Sequence, residues 1–94
     1  MLNIRHEQTD TENILVCEGH AGDVIAGKNL VCAAASILVM TLCEMIEEEV
    51  ASNDYGFAEI TCPRSDRNDV AFEFAVLGLE LLAEHHPEEV YIEE

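Results

Sequence analysis

The sequence predicts an α+β fold: a small two-layer domain in ββαβαβ order, with one mainly antiparallel or mixed sheet packed on two helices. Three observations carry this. Short apolar-alternating runs lie at 2–6 and 13–18, and alternation marks a half-buried strand. Leu30 to Ile46 is apolar at 14 of 17 positions, which suits a buried helix. Ahead of Pro87, the residues Val70, Phe74, Leu77 and Leu81 recur at the i, i+4, i+7, i+11 spacing of a second helix.

The first two runs are separated by "EQTDTE", which reads as the turn region of a hairpin. Within "NILVC", Ile14 and Val16 share one strand face, and Leu15 and Cys17 the other. Gly19, Gly22 and Gly27 then mark a flexible connection. Asn29 is a good N-cap, opening a helix expected to run to about Val50 with Glu47–Glu49 at its solvated end. The run "YGFAEITC", 55–62, is strand-like and Pro63 stops it. Capping residues in "SDRND" precede the second helix, although Phe72 and Phe74 alternate and blur its start. Its apolar stripe is expected to face the core. Pro87 ends it, and "EVYIE" is a short final strand. With no internal repeat, low-complexity segment or linker, residues 1–94 form a single domain.

Composition narrows the function classes. Twenty acidic residues against four Lys and Arg give a net charge of −16. Such a surface repels phosphate backbones and anionic lipid, so nucleic acid and membrane are poor direct partners, whereas a basic polypeptide is attracted. A span needs about 20 apolar residues; the Leu30–Ile46 run is shorter and carries Ser36, Thr41 and Glu44. At 94 residues one core is only marginally sufficient, which points to a homo-oligomer, most simply a twofold dimer. Cysteines at 17, 32, 43 and 62 show no CxxC spacing, and no secretory leader pattern opens the sequence. Reduced thiols in a cytoplasmic protein are the expectation, with no cofactor.

The chemistry concentrates in "GHAGDVIAGKNLVCAAAS", Gly19 to Ser36. With Asn29 as N-cap, Cys32 falls in the first helical turn, where unpaired backbone N–H groups and the macrodipole both favour negative charge on sulfur. His20 ends the second strand, across the glycine-bearing connection. A strand end and a helix start in one layer can bring imidazole to thiol, the minimal nucleophile–base pair. A lone cysteine in an apolar helix is also a common core residue, and spacing alone leaves both readings open.

The segments "GHAG", "GKNLVCAAAS" and "VLGLELLAEHHPEEVYI" together resemble the ribosomal-processing cysteine protease family Prp. The resemblance covers 19–36 closely, 76–92 well and the N-terminal hairpin loosely. It implies an endopeptidase that removes the N-terminal extension of a large-subunit ribosomal protein, or processes a phage capsid or scaffold protein, and that forms a homodimer. By position it implies Cys32 as nucleophile and His20 as general base and then acid. Gly22 to Gly27 would be a flap that orders on peptide, with Gly19 at its base. Asn29 stands where the family commonly has aspartate; an amide caps as well but offers no carboxylate to an imidazolium. Ser36, one turn past Cys32, either hydrogen-bonds near the site or is a small packing residue. The oxyanion donors would be backbone N–H groups at the helix start, that of Cys32 included.

Two other classes compete. Cys17, His20, Cys32 and Cys62 could hold a tetrahedral zinc, although only Cys17 and His20 are tightly spaced. A non-catalytic acidic module bound to ribosomal proteins would leave the pair vestigial. Cys17, Cys43 and Cys62 are expected to be structural, and His6, His85 and His86 to lie at the surface.

Overall fold

A computed structural model describes residues 1–19, 30–47, 50–54 and 56–93, the side chains at 52–54 excepted. The expected α+β architecture is present. In chain order the elements are β1 (Leu2–Gln8), β2 (Glu12–Gly19), α1 (Leu30–Met45), β3 (Val50–Asp54), β4 (Phe57–Pro63), α2 (Asp66–His85) and β5 (Val90–Glu93). The strands form one sheet in the order β3-β4-β2-β1-β5, with β1 and β5 parallel and every other pair antiparallel.

The hairpin is longer than the alternation suggests. The strands reach Gln8 and start again at Glu12, leaving Thr9–Thr11 to turn the chain. There the Thr9 N–H donates to Glu12 O at 2.8 Å and the Thr9 hydroxyl accepts from the Glu12 N–H at 2.9 Å, so the hydroxyl replaces a backbone acceptor.

One face of the sheet, with Leu2, Ile4, Leu15, Cys17, Ile60, Cys62 and Val90, buries against both helices. In "NILVC" the two faces separate as the alternation divides them: Leu15 and Cys17 are buried toward the helices, while on the opposite face Ile14 is half-buried and Val16 buried.

Two helical expectations are corrected. α1 does not reach Val50; it ends at Met45, and Val50 starts β3. The cause is α2. Its Arg67 Nε donates to Met45 O at 2.9 Å, taking a carbonyl that helix continuation would use. Buried Asn68 then accepts from the Glu47 N–H and donates to Glu47 O and Pro63 O. That claim on Glu47 diverts the chain out of the helix, and Ile46 turns inward at 7% exposure. The extra strand β3 is the result. Glu47 itself is exposed and pairs with Arg67 at 3.3 Å.

The stripe of Val70, Phe74, Leu77 and Leu81 does not face the core. These residues are 62%, 60%, 55% and 49% exposed. α2 instead buries Asn68, Ala71, Phe72, Ala75 and Leu79, a face in which Ala71 and Ala75 are small. Small side chains let the helix lie close to the sheet and to α1, so close that a Cβ on Gly78 would meet Leu38 Cδ2 at 2.7 Å. The start of α2 is unambiguous: Ser65 caps it, its side chain accepting from the Asn68 N–H at 3.0 Å.

Asn68→Ala is expected to cost about 2–4 kcal/mol, because it strands backbone groups of Glu47 and Pro63 away from water. Urea unfolding measures it, and a change under about 1 kcal/mol would mean that solvent reaches those groups.

A second polar network closes the hairpin end. Asp69 accepts from Arg64 Nη2 at 2.9 Å and Arg64 Nε at 3.0 Å, and from Asn13 Nδ2 at 2.8 Å. The Arg64 guanidinium, helped by Asn13, pulls the carboxyl down from its ordinary 3.8 to about 2. A depressed acid stabilises the fold above its unfolded value and loses that contribution as pH falls through the folded one. The melting temperature should therefore drop between pH 4 and about 2, and Asp69→Asn should remove part of that drop in calorimetry. An unchanged pH profile in the variant would rule the network out as its source.

Candidate active site

Gly19 closes β2 opposite Leu2 and beside the β3–β4 turn. Its φ of +97° lies in the region that favours glycine, and a Cβ there would strike the Met1 carbonyl oxygen. The Gly19 N–H donates to Gly56 O at 2.8 Å. Gly56, itself at φ +73°, thus braces the strand end from the neighbouring hairpin. Sequence reasoning missed this brace; the signal was Gly56, a turn residue at the start of the presumed third strand.

His20, Gly22, Gly27 and Asn29 lie outside the described residues. The chain resumes at Leu30 as the first described residue of α1. Contacts of Asn68 and Arg67 hold the C-terminal end of α1 near Pro63, and Pro63 pairs with Glu12 at the start of β2. The N-terminal end of α1 therefore lies toward the Gly19 end of the sheet. Cys32 is placed in its first turn, with no acidic residue there to offset the positive end of the helix.

Val31 is the inward residue of that turn at 5% exposure, and Leu30 is 85% exposed. Cys32 is half-buried and packs against the core cluster. Ser36 is exposed, which removes the reading as a core packing residue and leaves it near the same face of α1, one turn on.

The other thiols are placed differently. Burial pushes the Cys17 thiol up to about 11, so it stays protonated and a poor nucleophile. Cys62 is 1% exposed in the core. Cys43 is half-buried, about 16 Å farther along α1 than Cys32. Among the four cysteines, Cys32 alone combines partial access with a helix N-terminus.

The zinc arrangement does not assemble from the sheet cysteines. Cys62 pairs with Asn13 and Cys17 with Ala58, which sets the two cysteines four residues apart along the ladder, about 13 Å. One tetrahedral ion cannot bind both. As expected, His6 and His85 are exposed, while His86 is half-buried.

Comparisons with known proteins converge on this chain. The sequence profile of the cysteine protease Prp family matches residues 1–91. No curated protein matches significantly. Among solved structures, the essential ribosomal processing protease Prp from S. aureus, with a covalently linked product peptide, is 19% identical. It superposes with a TM-score of 0.80 over 98% of this chain and 97% of that one. The same S. aureus protease in complex with a substrate peptide is 18% identical, with a TM-score of 0.73 over 99% and 98% of the two chains. SMU.848 from Streptococcus mutans is 25% identical, with a TM-score of 0.79 over 99% and 92%.

Proposed function

The chain belongs to the cysteine protease Prp family, and from that premise we propose that Cys32 is the nucleophile and His20 the base of a peptide-bond cleavage. The observation that carries the proposal is the position of Cys32, half-buried in the first turn of α1 with no acidic side chain in that turn. His20 directly follows the constrained Gly19. It takes the thiol proton, the thiolate adds to the scissile carbonyl, and the imidazolium then protonates the departing amine. First-turn N–H groups, that of Cys32 among them, stabilise the oxyanion. Water, deprotonated by His20, then releases the acyl group from Cys32. Asn29 supports the turn as cap, and Gly22 and Gly27 allow the intervening segment to close over peptide.

The substrate is the basic precursor of a large-subunit ribosomal protein, from which an N-terminal extension is removed; a phage capsid or scaffold protein is the other substrate of this class. The matched S. aureus protease is described as a ribosomal processing enzyme, and a net charge of −16 suits a basic chain. The working form is a cytoplasmic twofold dimer, as expected where a chain of 94 residues has only one small core. Sedimentation at low concentration showing only monomer would remove the dimer from this proposal.

The test incubates the protein with peptides covering the N-termini of candidate ribosomal and capsid precursors, followed by mass spectrometry. A single new terminus in one of them is the expected result. Intact peptides throughout, with the thiol verified as reduced, would overturn it.

A further inference from the structure

At the end of the sheet away from Cys32, β1 outruns its neighbour. β5 pairs only with Leu2–Arg5, and its last paired residue is Glu93, whereas β1 continues to Gln8. The Leu2 N–H donates to Glu89 O on the β5 side, so by strand alternation His6 and Gln8 turn their N–H and C=O groups the same way. Among the described residues no strand pairs with them there. An unpaired edge of this kind is a template for an added strand.

Beside that edge, β1 and α2 bound an open groove of about 710 Å³. Phe72 and Val76 supply an apolar wall and the exposed Leu77 a rim. Glu7, Glu73 and Glu80 also line it, all exposed and none in an ion pair among the described residues. Asp69, the fourth carboxylate, is already engaged by Arg64 and Asn13.

We propose that this groove docks an extended, lysine- or arginine-bearing segment of the polypeptide that the enzyme cuts, added as a strand along His6–Gln8. Main-chain pairing sets its register, and alternate side chains meet the glutamates of α2 and the Phe72–Val76 wall. Charge complementarity selects this occupant over a second copy of the chain, which would set Glu7, Glu73 and Glu80 against themselves. The inference rests on the protease reading of Cys32. The 16 residues of α1 separate the two ends by about 24 Å, so the docked segment lies at least about seven residues from the scissile bond.

The test uses a fluorescent ten-residue peptide alternating lysine with valine and threonine, titrated into the Cys32→Ala protein. Glu73→Gln with Glu80→Gln should weaken binding about fivefold, the combined weight of two exposed ion pairs. Glu84→Gln with Glu88→Gln, removing equal charge outside the groove, should not. Amide NMR shifts on titration should include His6 and Gln8. Equal weakening by both double variants, or shifts confined to residues 30–36, would overturn the proposal. In the enzyme with Cys32 intact, the groove variant should raise KM for a full-length precursor about fivefold and leave a peptide ending four residues past the scissile bond unaffected. Groove binding without any cleavage would defeat the protease reading alone, and cleavage indifferent to the groove variant would defeat this inference alone.

Discussion

Cys32→Ala is expected to abolish peptide cleavage, lowering kcat/KM by at least about 10⁴-fold, the scale on which losing the nucleophile removes covalent catalysis. Removing the sulfur leaves the helix intact, and Cys32 is only half-buried. Stability should therefore fall by no more than about 1 kcal/mol. The variant should still bind uncut precursor, because charge and groove do not depend on the thiol. Initial rates on a cleavable peptide measure the first effect and thermal melting the second. Retention of more than a few per cent of activity would move the nucleophile elsewhere. Cys17, pushed up to about 11 by burial, could not take its place without unfolding the sheet around it.

Gly19→Ala is the change with the next largest consequence. Three constraints meet at this residue: a φ of +97°, the Met1 carbonyl where a Cβ would go, and the N–H bond to Gly56 O. The obstacle is backbone rather than a side-chain tip, so it cannot swing aside. We expect a loss of about 2–4 kcal/mol, combining strain at positive φ with a disturbed β1–β2 end. Because His20 comes next, the displaced strand end also misaims the proposed base, and a displacement of about 1 Å is worth roughly a hundredfold in rate. The assay must run well below the variant's melting temperature, so that the rate reports geometry rather than unfolded protein. Full activity in a folded variant would show that His20 is positioned independently of the strand end.

Much of the fold was legible because its signals were local. Alternation found β1 and β2, Pro63 and Pro87 stopped β4 and α2, and "SDRND" supplied capping residues, of which Ser65 is the cap. What was lost depended on long-range contacts. Nothing near Met45 announces a helix stop; the stop comes from Arg67 and Asn68, more than twenty positions away. On α2 the helical spacing was legible and the direction of the stripe was not. Val70, Phe74, Leu77 and Leu81 make the regular apolar stripe, but the face packed on α1 and the sheet carries Ala71, Phe72, Ala75 and Leu79, with Gly78 close against Leu38. For the site, residue identities were readable from 19–36, and the structure added the left-handed Gly19 and its Gly56 brace, neither of which a one-dimensional pattern encodes.

The outward stripe of α2 has a colloidal consequence. Dispersal of such a surface depends on mutual repulsion, here supplied by a net charge of −16. That repulsion vanishes near the sequence pI of about 4.2, which lies above the pH range in which Asp69 releases its hold on the fold. On acidification the folded molecules should therefore flocculate through Phe74 and its neighbours before they denature. Turbidity that clears on return to neutral pH, with activity restored, is the behaviour this order of events requires.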